Sequence, residues 1–275
     1  SQLNISRYFA RCDPIERRTV MTHATLIANA GILLEIDGIR FLIDGLHHSS
    51  QYPFSPVPQA MLDQMLRGEG PFRDADFLLF THDHPDHWSP ALTQAYLQAN
   101  RVRRVLLPPR SKDGPAQDDL TADMTARHIP WWQADLHRGQ RRTYLLAPEA
   151  YLTALSTPHE GEMFAHLDCL CLLLTVHGQH YLITGDCGWN DPSYYDAIAD
   201  IRPRAVFVNP LFFYDPAGRA LLSRWTPPQV VLYHIPFAGE DSISLRTLTR
   251  QCLTKYSRDF ESVQALWEPE QRIEL

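Results

Sequence analysis

A short apolar run, Phe77-Leu78-Leu79-Phe80, leads directly into the polar stretch Thr81-His82-Asp83-His84-Pro85-Asp86-His87-Trp88. Residues 82–87 contain three histidines and two aspartates in six consecutive positions. The apolar run predicts a buried strand, so these side chains would lie where a strand ends, on a rigid support. Imidazole and carboxylate together suit zinc, manganese or iron better than calcium or magnesium. The stretch therefore predicts a transition-metal site at the edge of a sheet.

Other apolar segments of the chain also end in a residue that can bind a metal. Together with the first histidine of the stretch, these residues are, in chain order, Asp44, His82, His159, Asp186 and His234. A sheet holds the loops that leave it in place, which is why catalytic groups are often found at strand ends. We therefore expect these side chains to converge at one edge of the fold.

Strand and helix signals alternate along the chain. Asp37-Gly38 is a hairpin signal between the apolar runs 32–36 and 39–43, and Ser89-Pro90 is typical of a helix start before residues 91–99. Further helices are predicted at 59–67, 118–127, 193–201 and 241–256, whereas 46–58, 109–117 and 211–228 are predicted as loops. Such a mixed pattern predicts an α/β fold with sheets inside and helices outside. No linker-like segment divides the chain, so we expect one domain over residues 1–275.

Composition and charge narrow the partners. The 275 residues are 44% hydrophobic with a net charge of −7, which argues against a nucleic-acid partner because phosphate backbones attract basic surfaces. No apolar run approaches the ~18 residues of a membrane span, and the sequence shows no signal peptide. The odd number of cysteines, five with Cys12, favours reduced thiols over a disulfide framework. These features predict a cytoplasmic protein that acts on a small molecule, with its oligomeric state left open.

The polar residues at the strand ends resemble the motifs of a known superfamily. His82-x-His84-x-Asp86-His87, with the later His159, Asp186 and His234, resembles the metallo-β-lactamase superfamily. Asp44, which follows Phe41-Leu42-Ile43, resembles the first motif of that superfamily. The resemblance extends over about residues 23–240, and within the superfamily the chain is similar to compact hydrolases of the ascorbate-6-phosphate-lactonase-like type.

This resemblance implies a fold and a set of ligands. The fold would be a four-layer αββα sandwich with two metals along one edge of its sheets. His82, His84 and His159 would bind the first metal, and Asp86, His87 and His234 the second. Asp186 would bridge the two metals, and Asp44 would hydrogen-bond to the ligands and orient them.

The resemblance also implies a reaction. Two divalent transition metals, zinc foremost and manganese or iron as alternatives, would supply a bound hydroxide that attacks a small ester, lactone, amide or phosphodiester. Asp86 would orient that nucleophile or relay a proton, and His234 would touch the substrate. Alternatives on the same fold are a di-iron, oxygen-dependent redox enzyme and a non-catalytic metal-binding module. In the flavo-diiron branch a carboxylate replaces the second histidine of the motif, so His84 favours hydrolysis.

Several residues near the predicted site leave more than one interpretation open. His166 competes with His159 as a ligand, although His159 is favoured because it ends a strand. His47 and His48 either line the pocket or lie in a solvated loop. Glu160 is a candidate hydrogen-bond partner for a ligand, and Cys187 is expected to point away from the metals because neighbouring residues of a strand alternate. Aromatic residues that would form either a wall of the site or ordinary packing are Trp88, Tyr233 and those of segment 209–214.

Overall fold

A computed structural model describes residues 21–275, and Cys12 therefore lies outside the described part of the chain. Two seven-stranded sheets form its centre. The strands of the first sheet are β1 (His23–Leu26), β2 (Ile32–Ile36), β3 (Ile39–Ile43), β4 (Phe77–Leu79), β5 (Arg104–Leu107), β6 (Trp131–Gln133) and β14 (Arg272–Glu274). Their spatial order is β14-β1-β2-β3-β4-β5-β6.

The second sheet follows in sequence. Its strands are β7 (Arg141–Ala147), β8 (Ala150–Pro158), β9 (Asp168–Val176), β10 (Gln179–Ile183), β11 (Ala205–Val208), β12 (Gln229–Leu232) and β13 (Ser262–Ala265). Spatially they lie in the order β13-β12-β11-β10-β9-β8-β7. Neighbouring strands are antiparallel from β7 through β10 and parallel from β10 through β13. This sheet is therefore mixed, as the first one is.

Helices cover the outer faces of both sheets. Those against the first sheet are α1 (Gln59–Leu66), α2 (Pro90–Ala99) and α3 (Asp118–Ala126). The second sheet carries α4 (Pro210–Tyr214), α5 (Pro216–Trp225) and α6 (Leu245–Tyr256), with 3₁₀ segments at Pro192–Ile198 and Ser257–Asp259. Between residues 21 and 275, the helices lack the combination of length and apolar character that crossing a membrane requires.

The alternation of apolar side chains along the strands explains the layering. On β2, Ile32 and Leu34 pack between the two sheets, while Leu33 packs under the helices of the first sheet. On β9, Leu172 faces the first sheet and Cys171 faces the helices of the second. Because both faces of these strands are buried, each sheet needs a cover on both sides. The four-layer αββα fold expected from the sequence is confirmed.

Several local predictions were wrong in extent or type. Segment 211–228 is not a loop, since α4 and α5 occupy most of it. Asn209 caps α4 by accepting from the Phe212 N–H, and Asp215 caps α5 by accepting from the Ala217 N–H. Each cap is followed by a proline at the first helical position, a start signal that the sequence contained.

Two more predictions differ from the structure, and three short strands were not predicted. The segment predicted as a helix at 193–201 forms the 3₁₀ segment instead, and the last helix begins at Leu245 rather than at 241. Asp241 lies before α6 and accepts hydrogen bonds from the backbone N–H groups of Leu245 and Arg246. Strands β6, β13 and β14 have only three or four residues, too few for a clear periodic pattern.

Strand direction explains why the polar strand ends meet. In the first sheet β3 and β4 are parallel, so Asp44 and His82 leave the same edge. In the second sheet β8 and β10 run in the same direction, because β9 lies between them and is antiparallel to both. Strand β12 runs in that direction too, because β10, β11 and β12 are parallel. A hydrogen bond of 2.8 Å from the Leu170 N–H to the Thr81 carbonyl joins the two sheets at this edge.

Left-handed backbone turns the chain towards the shared edge. Asp44 has a φ of 48° and His234 has a φ of 62°, values that are uncommon for residues other than glycine. Such strained positions persist where the surrounding structure requires them, and they concentrate at functional sites. Both residues lie at the edge of the sheets where the polar strand ends meet.

Candidate metal centre

Seven buried side chains meet at the shared edge of the two sheets. Their ligand atoms form two groups, and within each group the atoms lie within 4.8 Å of one another. The first group is His82, His84, His159 and Asp186, and the second is Asp86, His87 and His234. Each of the seven residues was predicted as a ligand from the sequence, and the structure brings all of them together.

Asp186 lies between the two groups. Its Oδ2 atom is 3.3 Å from Nε2 of His159 and 3.6 Å from Nε2 of His82, both in the first group. The same atom is 3.3 Å from Nε2 of His87, and Oδ1 is 3.3 Å from Nε2 of His234, both in the second group. One carboxylate thus reaches ring nitrogens of both groups, which is the arrangement that a bridging ligand needs.

Asp44 orients the second group from behind. It is fully buried, and its Oδ2 atom lies 2.8 Å from Nδ1 of His87. A carboxylate only accepts, so His87 donates through Nδ1–H, and its Nε2 atom faces the cluster. The other oxygen of Asp44 accepts from the Thr81 backbone N–H at 2.9 Å.

Two further contacts orient histidines of the first group. The Thr81 hydroxyl donates to Asp44 Oδ2 at 2.6 Å and lies 3.0 Å from Nδ1 of His82, from which it accepts. Nδ1 of His159 donates to the Glu160 carbonyl at 2.7 Å. These contacts hold a proton on Nδ1 of both imidazoles, so in the neutral form of each ring the lone pair lies on Nε2, which faces the cluster. Partners of this kind fix ligand tautomers in metal sites.

Several polar atoms in the cluster have no hydrogen-bond partner within residues 21–275. They are Nε2 of His82 and His159 and one oxygen, Oδ1, on each of Asp86 and Asp186. An unpaired buried polar atom costs about 1–3 kcal/mol. Four such atoms from imidazoles and carboxylates, all in one cluster, fit a metal centre, because coordination would satisfy each of them.

The pKa values of the cluster residues also bear on whether the cluster can bind a cation. Burial alone would raise the pKa of Asp186, but the imidazoles of His234 and His87 hold it well below its ordinary value. Burial opposes charge on His87, yet Asp186, Asp86 and Asp44 raise its pKa well above the usual range. Burial lowers the pKa of His84 from 6.5 to about 3. The metal-free centre therefore keeps Asp186 ionised and His84 neutral, the states that bind a cation, whereas His87 is protonated and would release a proton on binding a metal.

The other histidines near the centre lie outside both groups. His166 is exposed and lines a neighbouring cavity, so the structure places His159 and not His166 in the cluster. His48 is exposed and lines the same cavity. His47 is fully buried, and neither of its ring nitrogens has a hydrogen-bond partner within the described residues. Cys187 is buried under the helices of the second sheet and belongs to neither group.

Asp83 lies within the motif but belongs to neither group of ligand atoms. Its Oδ2 atom accepts from the Ser111 hydroxyl at 2.7 Å and from the Ser111 backbone N–H at 3.2 Å. A Cβ atom added to Gly114 would lie 1.9 Å from that oxygen, so the backbone of this loop packs directly on the carboxylate. Asp83 therefore anchors the loop 111–115 beside the cluster.

Two cavities open at the cluster. A narrow one of about 70 Å³ is lined by ligand residues and by Tyr52, Phe54 and Phe164. A wide one of about 950 Å³ lies next to it, and His84, Tyr52 and Phe164 line both. The Phe164 ring lies 4.8 Å from the His84 ring and 5.2 Å from the His159 ring, and Tyr52 lies 5.4 Å from His84. These two aromatic side chains stand over the first group.

The predicted aromatic wall is only partly present. Trp88 lines the wide cavity, and Leu211 lines the narrow one. Phe212 and Tyr233 are instead buried in the core, where the Tyr233 hydroxyl accepts from the Gly185 N–H at 3.1 Å.

Sequence reasoning missed four residues of the site. Thr81 could have been found, since it adjoins the first ligand and carries a hydroxyl. The other three, Tyr52, Phe54 and Phe164, lie in irregular segments whose conformation no periodic pattern predicts.

Comparisons with known proteins bear on the fold. No protein-family model matches the chain, and no curated protein matches it significantly. Among solved structures, the metallo-β-lactamase fold protein YhfI from Bacillus subtilis is 15% identical, with a TM-score of 0.57 over 93% of this chain and 100% of that one. A possible metal-dependent hydrolase from Veillonella parvula is 17% identical, with a TM-score of 0.63 over 93% of this chain and 100% of that one.

A third similar structure has a different reported chemistry. CmlA, a diiron β-hydroxylase from Streptomyces venezuelae, is 17% identical, with a TM-score of 0.56 over 93% of this chain. The chain spans about half, 54%, of the length of CmlA. At these identities the similarity shows the fold alone. The chain has the metallo-β-lactamase fold, and its reaction has to be argued from the site.

Proposed function

We propose that the protein is a hydrolase with a dinuclear metal centre, acting on a small ester, lactone, amide or phosphodiester. One observation carries the proposal: two groups of buried ligand atoms lie side by side, and Asp186 reaches into both. His82, His84 and His159 would hold one metal and Asp86, His87 and His234 the other, with Asp186 between them. When bound, such a metal pair lowers the pKa of a water and polarises the oxygen of the electrophile.

The residues of the chain would contribute orientation and proton transfer. Asp86 lines the narrow cavity, and its Oδ1 atom has no hydrogen-bond partner within the described residues. That free oxygen can accept a hydrogen bond from a water in the cavity. It would therefore orient the attacking water or relay its proton.

His234 would face the substrate. It lines the narrow cavity, and the Phe54 ring contacts it edge-on with ring centroids 4.1 Å apart. Phe54, Tyr52 and Phe164 would exclude bulk water from the reacting bond, which strengthens electrostatic interactions there. The chain would thus supply a small, partly dry chamber next to the proposed metals.

Elemental analysis of the purified protein, followed by a hydrolase panel, tests this proposal. We expect about two zinc, manganese or iron ions per chain and metal-dependent turnover of at least one ester, lactone, thioester or phosphodiester. A sugar-phosphate lactone belongs in the panel, because the sequence resembles ascorbate-6-phosphate-lactonase-like hydrolases. A protein without bound metal, or a fully loaded protein that turns over nothing in the panel, would contradict the proposal.

The role of Asp86 has its own test. An Asp86→Ala variant should lose turnover by about 100-fold or more, the lower range for a general base. Turnover must be compared at equal metal loading, because Asp86 is also a proposed ligand. Full turnover with full metal content in this variant would remove Asp86 from the reaction.

A di-iron redox enzyme is the second candidate, supported by the similarity to the diiron β-hydroxylase CmlA. The ligand set of imidazoles and carboxylates also accepts iron. Two iron ions per chain with oxygen consumption would favour this reaction, whereas oxygen-independent turnover with zinc or manganese favours hydrolysis. Metal binding with neither activity would leave the non-catalytic module.

A further inference from the structure

The two cavities at the cluster differ in size in a way that constrains a ligand. The narrow cavity of about 70 Å³ is far smaller than the wide one and lies against the ligand residues. The wide cavity of about 950 Å³ can enclose a small organic molecule. A molecule whose reacting bond lies in the narrow cavity therefore has room for the rest of its structure in the wide one, which adjoins it.

Eight of the side chains that line the wide cavity are apolar. Trp88, Leu92, Met163, Phe164 and Leu167 line it together with three prolines. Met163 is 77% exposed, so its side chain is free to contact a ligand in the cavity. Met is flexible and adapts its shape to apolar partners. This surface suits the alkyl or aryl part of a ligand.

The wide cavity is lined by two aspartates but by no lysine or arginine of the described residues. Asp83 and Asp113 line the wide cavity, whereas lysine and arginine are absent among the described residues that line either cavity. Protein sites that bind phosphate or carboxylate groups use Arg, Lys or a helix N-terminus. An anionic group placed in this cavity would face these two carboxylates and the imidazoles of His48, His84 and His166, but no lysine or arginine among the described residues.

We propose that the substrate carries an uncharged apolar or aryl group, which binds in the wide cavity while the scissile bond lies in the narrow one. This inference deepens the proposed hydrolase function and rests on it. Neutral alkyl or aryl esters, lactones and amides are the matching class.

A pair of fluorescent probes tests the cavity without requiring any reaction. N-phenylnaphthylamine is uncharged, and anilinonaphthalene sulfonate has the same aromatic framework with one negative charge. With the metal-loaded protein, we expect the uncharged probe to bind to one site at least about tenfold more tightly than the sulfonate. Equal affinity, or tighter binding of the sulfonate, overturns the inference.

Variants locate the probe. Met163→Ser and Leu92→Ser should each weaken binding of the uncharged probe by about threefold or more, through lost apolar contact. The matched control is Leu145→Ser, because Leu145 is 62% exposed and lies on β7 outside both cavities. An equal effect of all three variants, or none from Met163→Ser and Leu92→Ser, would place the probe elsewhere and overturn the inference.

Charge reversal provides a second, independent test. Asp113→Lys should tighten binding of the sulfonate by about fivefold, since a lining carboxylate becomes a cation. Asp119→Lys is the control, because Asp119 is exposed on α3 and does not line the cavity. A sulfonate affinity that does not respond to Asp113→Lys, or responds equally to Asp119→Lys, contradicts the assigned location.

Turnover separates failure of the inference from failure of the proposed function. In a series of p-nitrophenyl esters, kcat/KM should rise at least about tenfold from the acetate to the hexanoate, since each buried methylene contributes about fourfold. The monoester of adipic acid, equal in length but anionic, should fall back by about tenfold. Metal-dependent turnover without these differences would sink the inference and leave the hydrolase standing. Probe binding as expected with no hydrolysis of any substrate class would sink the hydrolase instead.

Discussion

Replacing Asp44 with asparagine should weaken the binding of the proposed second metal while the chain stays folded. The Asp44 carboxylate accepts from Nδ1 of His87 at 2.8 Å, from the Thr81 hydroxyl at 2.6 Å and from the Thr81 backbone N–H at 2.9 Å. Asparagine has one oxygen in place of two, so one of its orientations puts an NH₂ group against the Nδ1–H of His87. The imidazole then moves its proton to Nε2, the atom that faces the cluster.

The other orientation of the amide is no better. It would place the NH₂ group against the backbone N–H of Thr81, leaving a buried donor unpaired at a cost of about 1–3 kcal/mol. Loss of a residue that orients a metal ligand typically costs 10- to 100-fold in metal affinity, which corresponds to about 1.4–2.7 kcal/mol. Asparagine tolerates the left-handed φ of 48° at this position, so backbone strain adds little.

The assay is metal content per chain after dialysis against chelators of increasing affinity, with thermal unfolding of the metal-free protein as the check on folding. Asp83→Asn is the matched control, because Asp83 belongs to the same motif but bonds to Ser111. We expect Asp44→Asn to lose one metal first and Asp83→Asn to keep both. Wild-type affinity for both metals in Asp44→Asn, or the same loss in Asp83→Asn, would refute the assigned role of Asp44.

Three further predictions follow from the site. His159→Ala should lose one metal per chain and His166→Ala none, as measured by elemental analysis; the reverse result would exchange their roles. Gly114→Ala should displace loop 111–115, because its Cβ would lie 1.9 Å from Asp83 Oδ2, and should weaken probe binding about fivefold with metal content unchanged. The metal-free protein should lose stability as pH falls from 6.5 towards 3. The pKa of His84 is about 3 in the folded protein but 6.5 in an unfolded chain, so over this range the unfolded chain binds more protons. Urea unfolding midpoints over this range should fall less steeply in His84→Gln, and an equal slope would contradict this origin.

The sequence predicted the fold and the proposed ligands through different signals. Alternating apolar residues on strands such as β2 and β9 indicated two buried faces, and hairpin and cap signals marked the turns. His82, His159, Asp186 and His234 were recognisable because each follows an apolar strand, and His84, Asp86 and His87 because they share the superfamily-like motif with His82. Short strands such as β6 and β14 were not predicted, because three residues are too few to show an alternating pattern. Helices α4 and α5 were missed although their Asn-Pro and Asp-Pro start signals were present.

By itself, the sequence determined that imidazoles and carboxylates stand at the ends of rigid strands, because that property depends on local order along the chain. It also determined the apolar alternation that requires two sheets with helices outside. Only the tertiary structure decided that Asp186 reaches both ligand groups, that Asp44 and Thr81 fix the tautomers, and that Asp83 anchors a loop. The tertiary structure also decided the size and charge of the wide cavity. These properties arise from contacts between residues far apart in sequence, whose relative positions depend on how the two sheets and their loops pack.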